Sequence, residues 1–121
     1  MKKIGFVTTN RVLAQSLAAA KINRPDWEFE LYPLLDPRQA ALDMDVLRLD
    51  AAVIDVADGI PADEAEAFCR ALRRSAGCRL LLLVPKAARR TAIRAVKNNA
   101  ADDFVFYDTS LDYLFTKLAA M

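Results

Sequence analysis

The chain has 121 residues, 55% of them hydrophobic and 27% charged, with 17 lysines and arginines against 16 aspartates and glutamates. That length is one domain with a sizeable core, the composition excludes a disordered chain, and a net charge of +1 gives no electrostatic case for nucleic acid as a direct partner. Histidine is absent, which removes the commonest general base, the commonest metal ligand and every Ser-His-Asp or Cys-His arrangement.

At the amino end, the two lysines and short apolar run of MKKIGFVTT lack the longer apolar region of a signal peptide. No run approaches the ~18 apolar residues of a membrane span. The expectation is a cytoplasmic protein with no membrane partner. Lys3–Val7 (KIGFV) predicts a buried strand, and Asn10 in the following TTN predicts a helix cap. Val12, Leu13, Ser16, Leu17 and Ala20 recur at helical spacing, which predicts a first helix over 11–22. Pro25 forbids its continuation. Trp27–Leu31 (WEFEL) alternates apolar and acidic residues, as an edge strand with one wet face does, and Tyr32-Pro33 closes it.

Asp36-Pro37 opens a short helix over 37–45. Ala51–Val56 (AAVIDV) is apolar apart from Asp55, the pattern of a strand covered on both faces. After the breakers Gly59 and Pro61, Asp63–Arg74 predicts a helix with Ala65, Phe68, Cys69 and Leu72 on one side and Gly77 as its stop. Leu80–Val84 (LLLLV) is the most apolar strand and is expected near the sheet centre, ended by Pro85. Residues 88–98 form a basic helix with Arg89, Arg90, Arg94 and Lys97. Phe104–Tyr107 is the fifth strand. Asp108-Thr109-Ser110 caps a last helix with the stripe Leu111, Leu114, Phe115 and Leu118. Cys69 and Cys78 are too few for a disulfide framework or a zinc site and are expected to be reduced, buried thiols.

Five strands alternating with five helices predict an α/β fold. The expected architecture is one doubly wound, five-stranded parallel sheet of flavodoxin-like type, a single domain over 1–121. In such sheets the functional crevice lies at the carboxyl ends of the strands. There stand Thr8, Thr9 and Asn10, then Pro33, then Asp55, then Val84, Pro85 and Lys86, and finally Tyr107 and Asp108. The three glycines, Gly5, Gly59 and Gly77, supply no loop that could cradle a phosphate, which weighs against a nucleotide or flavin.

In this arrangement the chain resembles a receiver domain of two-component response regulators, the CheY-like family. Asp50–Asp55 (DAAVID) resembles the family's third strand, which ends in the phosphoaccepting aspartate, here Asp55. Gly59-Ile60-Pro61 resembles the loop after it, and Ala100–Val105 (AADDFV) is similar to the stretch that opens the fifth strand. The departures fall on the functional positions. The resemblance implies acidic residues after the first strand to hold magnesium, and Thr8 and Thr9 stand there. It implies a hydroxyl at the end of the fourth strand, and Val84 and Pro85 stand there. It implies a lysine at the end of the fifth, and Tyr107 stands there.

Magnesium wants several hard anionic oxygens, so no metal or other cofactor is expected, and no catalytic residue. Lys86 is the one cation near enough to act as a substitute, although a lysine after a strand-ending proline is usually solvated. Asp58 is either a second carboxylate or a turn residue ahead of Gly59. For Asp55 itself the plainer reading is a carboxyl that accepts hydrogen bonds from Thr8 or Thr9 and stabilises the crevice.

In receivers the fourth helix, fifth strand and fifth helix form the usual partner face. Here Arg89, Arg90, Arg94 and Lys97 form a basic row. Asp102, Asp103, Asp108 and Asp112 form an acidic one, with Tyr107, Tyr113 and Phe115 nearby. The rows suit either a symmetric homodimer, basic on acidic, or an ordinary solvated face. Arg70, Arg73 and Arg74 make a second cluster, read as solvation. The expected function is a non-enzymatic receiver-like domain acting through protein contacts with a partner or a downstream output domain. The chain stops at the end of its last helix, so the expected context is the amino-terminal domain of a longer regulator. The alternatives are a working receiver phosphorylated on Asp55, and a flavodoxin-like small-molecule binder or enzyme.

Overall fold

The computed structural model describes residues 1–121. They form β1 (Lys2–Val7), α1 (Arg11–Ile22), β2 (Phe29–Leu34), α2 (Ala40–Val46), β3 (Ala51–Asp55), α3 (Ala65–Ala76), β4 (Arg79–Val84), α4 (Arg89–Lys97), β5 (Asp103–Phe106) and α5 (Leu111–Ala120). The sheet is parallel throughout, in the order β2-β1-β3-β4-β5. The order reverses between β1 and β3, and the crevice of a doubly wound sheet opens at the carboxyl ends there.

Local signals set several helix boundaries. Asn10 Oδ1 accepts the Leu13 amide at 3.0 Å and Ser110 Oγ accepts the Tyr113 amide at 3.1 Å, starting α1 and α5. Gly77 ends α3 at φ +59°, a conformation that glycine enters without a Cβ penalty. Single turns of 3-10 helix, Pro37–Gln39, Ala62–Glu64 and Lys86–Ala88, lead into α2, α3 and α4, so these helices start later than sequence periodicity predicts.

The pleat divides the core into two layers. Ile4, Phe6, Val53, Leu81, Leu83 and Val105 face α1 and α5, where Phe29 and Trp27 both meet the Phe115 ring edge-on. Val7, Ile54, Leu80, Leu82 and Val84 face α2, α3 and α4. Both cysteines are free and buried, and burial pushes the Cys69 thiol up to about 12, so it stays a protonated, inert thiol.

Four expectations need correction. The second strand is Phe29–Leu34, not Trp27–Leu31, and Pro33 lies inside it opposite Phe6. An edge strand tolerates proline because one of its sides has no ladder to feed. The third strand ends at Asp55, not Val56, because the Asp55 carbonyl turns to accept the Gly59 and Ile60 amides at 2.8 and 3.0 Å. The fifth strand is Asp103–Phe106, not Phe104–Tyr107, whereas the most apolar strand, β4, lies beside the central β3 as expected, and all five β3 residues are buried. Val12, Ser16 and Leu111 belong to the solvent side of their helices, and Ala14 takes the core position in α1.

Candidate functional site

Register brings the strand ends together. Val7 pairs with Ile54, so Thr8 and Asp55 are neighbours across β1 and β3. Both continue the pleat side of Phe6 and Val53, and Tyr107 continues that of Val105. Three side chains on three strand ends therefore point into one crevice.

Thr8 and Asp55 are fully buried, the only polar or charged residues that are. Thr8 Oγ1 donates to Asp55 Oδ2 at 2.6 Å and accepts the Asn10 amide at 3.0 Å. Tyr107, held by its amide on the Val84 carbonyl at 3.0 Å, reaches across the end of β4. Its hydroxyl contacts Asp55 Oδ1 and lies 2.7 Å from the Val56 carbonyl. Both Asp55 oxygens are thus occupied by hydroxyl groups. Burial raises the pKa of Asp55 above its ordinary value, opposed in part by the hydrogen bonds from Thr8 and Tyr107. Burial and the adjoining Asp55 also hold Tyr107 firmly in its phenol form.

The remaining strand-end residues turn elsewhere. Thr9 gives its amide, at 2.8 Å, and its hydroxyl to the Asp58 carbonyl, so of the two threonines only Thr8 meets Asp55. The exposed Asp58 carboxylate accepts Asn10 Nδ2 at 3.2 Å. Lys86 is exposed and pairs with Asp108 at 3.0 Å, and it makes no hydrogen bond or ion pair with Asp55. Val84 is buried, and Pro85 leads into the turn before α4. A cleft of about 310 Å³ opens beside Tyr107 between α1 and α5, floored by Leu13, Leu17, Leu83 and Leu114. Tyr107 lines it and Asp55 does not.

The residues present do not fit magnesium. A hard cation needs several anionic oxygens. Asp55 offers one carboxyl with both oxygens taken, and no three acidic, histidine or cysteine side chains converge anywhere.

The partner-face residues are also placed. Arg90, Arg94 and Lys97 are exposed on α4. Asp103 pairs with Lys117 at 2.6 Å, Asp108 with Lys86, and Asp112 with Arg24. Tyr107 is turned to Asp55. The second basic cluster is more than a solvated surface. Arg73 binds the Asn99 carbonyl at 2.6 Å and the Asp102 carboxylate, and Arg70 binds the Asn98 carbonyl at 3.2 Å, tying α3 to the α4–β5 connection. Sequence periodicity carries no signal for that clamp.

No protein-family model matches the chain, and no curated protein matches it in sequence. Its fold is that of CheY-like response regulator receiver domains. The amino-terminal domain of the nisin resistance regulator NsrR superposes with a TM-score of 0.80 at 17% identity, covering 99% of this chain and 97% of that one. A two-component response regulator from Clostridium difficile superposes at 0.79 and 15% identity, covering 99% and 94%. The beryllofluoride-activated NtrC4 receiver domain dimer superposes at 0.78 and 18%, covering 99% and 94%. At these identities the likeness is one of fold.

Proposed function

We propose that this chain is a receiver-like signalling domain that works through protein contacts and does not take a phosphoryl group by magnesium-dependent chemistry. The carrying observation is the closed state of Asp55, fully buried with Thr8 on one oxygen and Tyr107 on the other.

Proton counting supports it. The phenol has one proton, and its oxygen lies against two acceptors, Asp55 Oδ1 and the Val56 carbonyl. With Asp55 ionised the phenol proton can serve only one of them at a time, whereas a proton on Asp55, offered to the phenol oxygen, would free the phenol proton for Val56. Burial favours that neutral form. A carboxyl that is buried and held on both oxygens is a poor nucleophile, and Lys86, engaged by Asp108, supplies no cation to offset the charge of a transferring phosphoryl group.

The test is incubation with acetyl phosphate and magnesium, and separately with beryllofluoride and magnesium, read by intact mass and by amide NMR shifts around Asp55. No adduct and no shift are expected. A mass gain that disappears in Asp55→Asn overturns the proposal in favour of a working receiver.

A further inference from the structure

The cleft beside Tyr107 has a volume of about 310 Å³. That is room for about ten waters at ~30 Å³ each. One turn of a peptide helix, about 10 Å across and about 5 Å along its axis, already exceeds that space. A small organic molecule does not, and the make-up of the cleft suits one. Its floor is four leucines, of which Leu17, Leu83 and Leu114 are buried. Asp58, Thr109 and Tyr107 bring polar groups to the same cleft. An apolar floor with a few polar groups is the usual composition of a small-molecule site.

Charge decides the class of molecule. No lysine or arginine lines the cleft, which disfavours an anion. Three carboxyls stand at this end of the sheet. Asp55 is capped by Thr8 and Tyr107, and Asp108 holds Lys86. Asp58 is in none of the chain's ion pairs. Its carboxylate is exposed, with the neutral Asn10 amide as its side-chain partner at 3.2 Å. Tyr107 uses its hydroxyl on Asp55 and Val56, so it brings its ring to the cleft. An unpaired carboxylate near an aromatic ring is a pairing that takes an ammonium group.

We propose that this cleft binds a small organic amine, with its apolar body on the leucine floor and its ammonium group on Asp58. Such a ligand gives a receiver-like domain an input that requires no phosphoryl group. In that respect the proposal rests on the function proposed above. Tyr107 links the two, since it lines the cleft and also caps Asp55.

Three probes of one shape test it on the full chain: phenylbutylamine, phenylbutanol and phenylbutyrate. Each is titrated at low ionic strength, where charge is least screened, and followed by the amide NMR shifts of Asn10, Asp58, Thr109 and Leu111. The amine should bind saturably with a Kd of about 1 mM, the scale for a ligand of about ten non-hydrogen atoms. It should bind about fivefold tighter than the alcohol, the scale of an exposed charge pair, and the butyrate should bind weakest. Asp58→Asn keeps an acceptor for Asn10 and removes the charge. It should bring the amine down to the alcohol's affinity while the alcohol binds as before, which shows that the cleft is intact. A second measurement needs no variant: about 1 M salt should erase the amine's advantage in wild type.

Absence of saturable shifts with all three probes, equal affinity of amine and alcohol at low salt, or tightest binding of the butyrate overturns the proposal. So do shifts confined to residues outside the cleft, an amine preference that survives Asp58→Asn, and one that survives high salt. A phosphoryl adduct on Asp55 would defeat the function proposed above and leave the amine titration standing, so the two failures are distinguishable.

Discussion

The Tyr107 hydroxyl reaches across the end of β4 to Asp55, 52 residues away in the chain, and closes the carboxyl off from solvent. The position where the receiver resemblance implies a lysine thus holds a neutral group that caps the carboxyl. A lysine there would stabilise the charged carboxylate with a full charge, whereas the phenol offers a hydrogen bond alone.

Stability should therefore depend on pH in a specific direction. The native pKa of Asp55 is raised by burial. Its contribution is fully present below the unfolded carboxyl value of about 3.9 and is lost as pH rises through the native value. Urea melts of wild type and Asp55→Asn across this range should show the wild type losing ground as pH rises. An asparagine accepts from Thr8 and donates to Tyr107 as the protonated acid does, so Asp55→Asn should be the more stable at pH 7, by about 1 kcal/mol. Equal pH profiles would show that Asp55 is charged in the fold.

Tyr107→Phe removes the cap and keeps the ring. It leaves Asp55 Oδ1 and the Val56 carbonyl without their partner, at a cost of about 1–3 kcal/mol. Thermal melts read the loss, and amide exchange at Val56 and Ala57 should quicken. An unchanged melt would mean that water replaces the phenol at no cost.

The loop after β3 should respond with opposite signs at two nearby positions. Ala57 has φ 114°, a conformation strained for any residue with a Cβ, so Ala57→Gly should stabilise by about 1 kcal/mol. A Cβ at Gly59 would stand 2.6 Å from the Asp55 carbonyl oxygen and 2.7 Å from that of Val7. Backbone cannot yield as a flexible side chain does, so Gly59→Ala should destabilise by about 1–3 kcal/mol. Denaturant midpoints check both.

Rebuilding the missing groups should rebuild the missing chemistry. Thr8→Asp, Thr9→Asp and Tyr107→Lys together place carboxylates and a cation around Asp55. Without metal the variant should melt below wild type because like charges crowd a buried site. Magnesium should raise its melting temperature, leave wild type unchanged, and allow an acetyl phosphate adduct in the variant alone. A magnesium response in wild type would refute the reading of its site.

Much of this was legible from residue order. The KIGFV, AAVID and LLLLV runs marked strands, and Asn10, Ser110 and Gly77 marked helix ends, because these are properties of short segments. Thr8 was open to reading as a hydrogen-bond donor to Asp55, since adjacent strand ends share a crevice. Pro33 misled, because proline ends an interior strand but rides along an edge, and edge status follows from the sheet order. From residue type alone Lys86 looks solvated and the aspartates after β4 look solvated or intermolecular, because their pairing partners lie on other elements.

The sequence by itself determined the alternation of strands and helices, the parallel sheet it implies, and the neutral residues around Asp55, because periodicity and residue type are local. Only the tertiary structure decided that Tyr107 caps Asp55 and that the acidic row is internally paired while α4 is not. Those facts depend on which strand ends the sheet brings side by side and on where long side chains reach, and neither is set by neighbours along the chain.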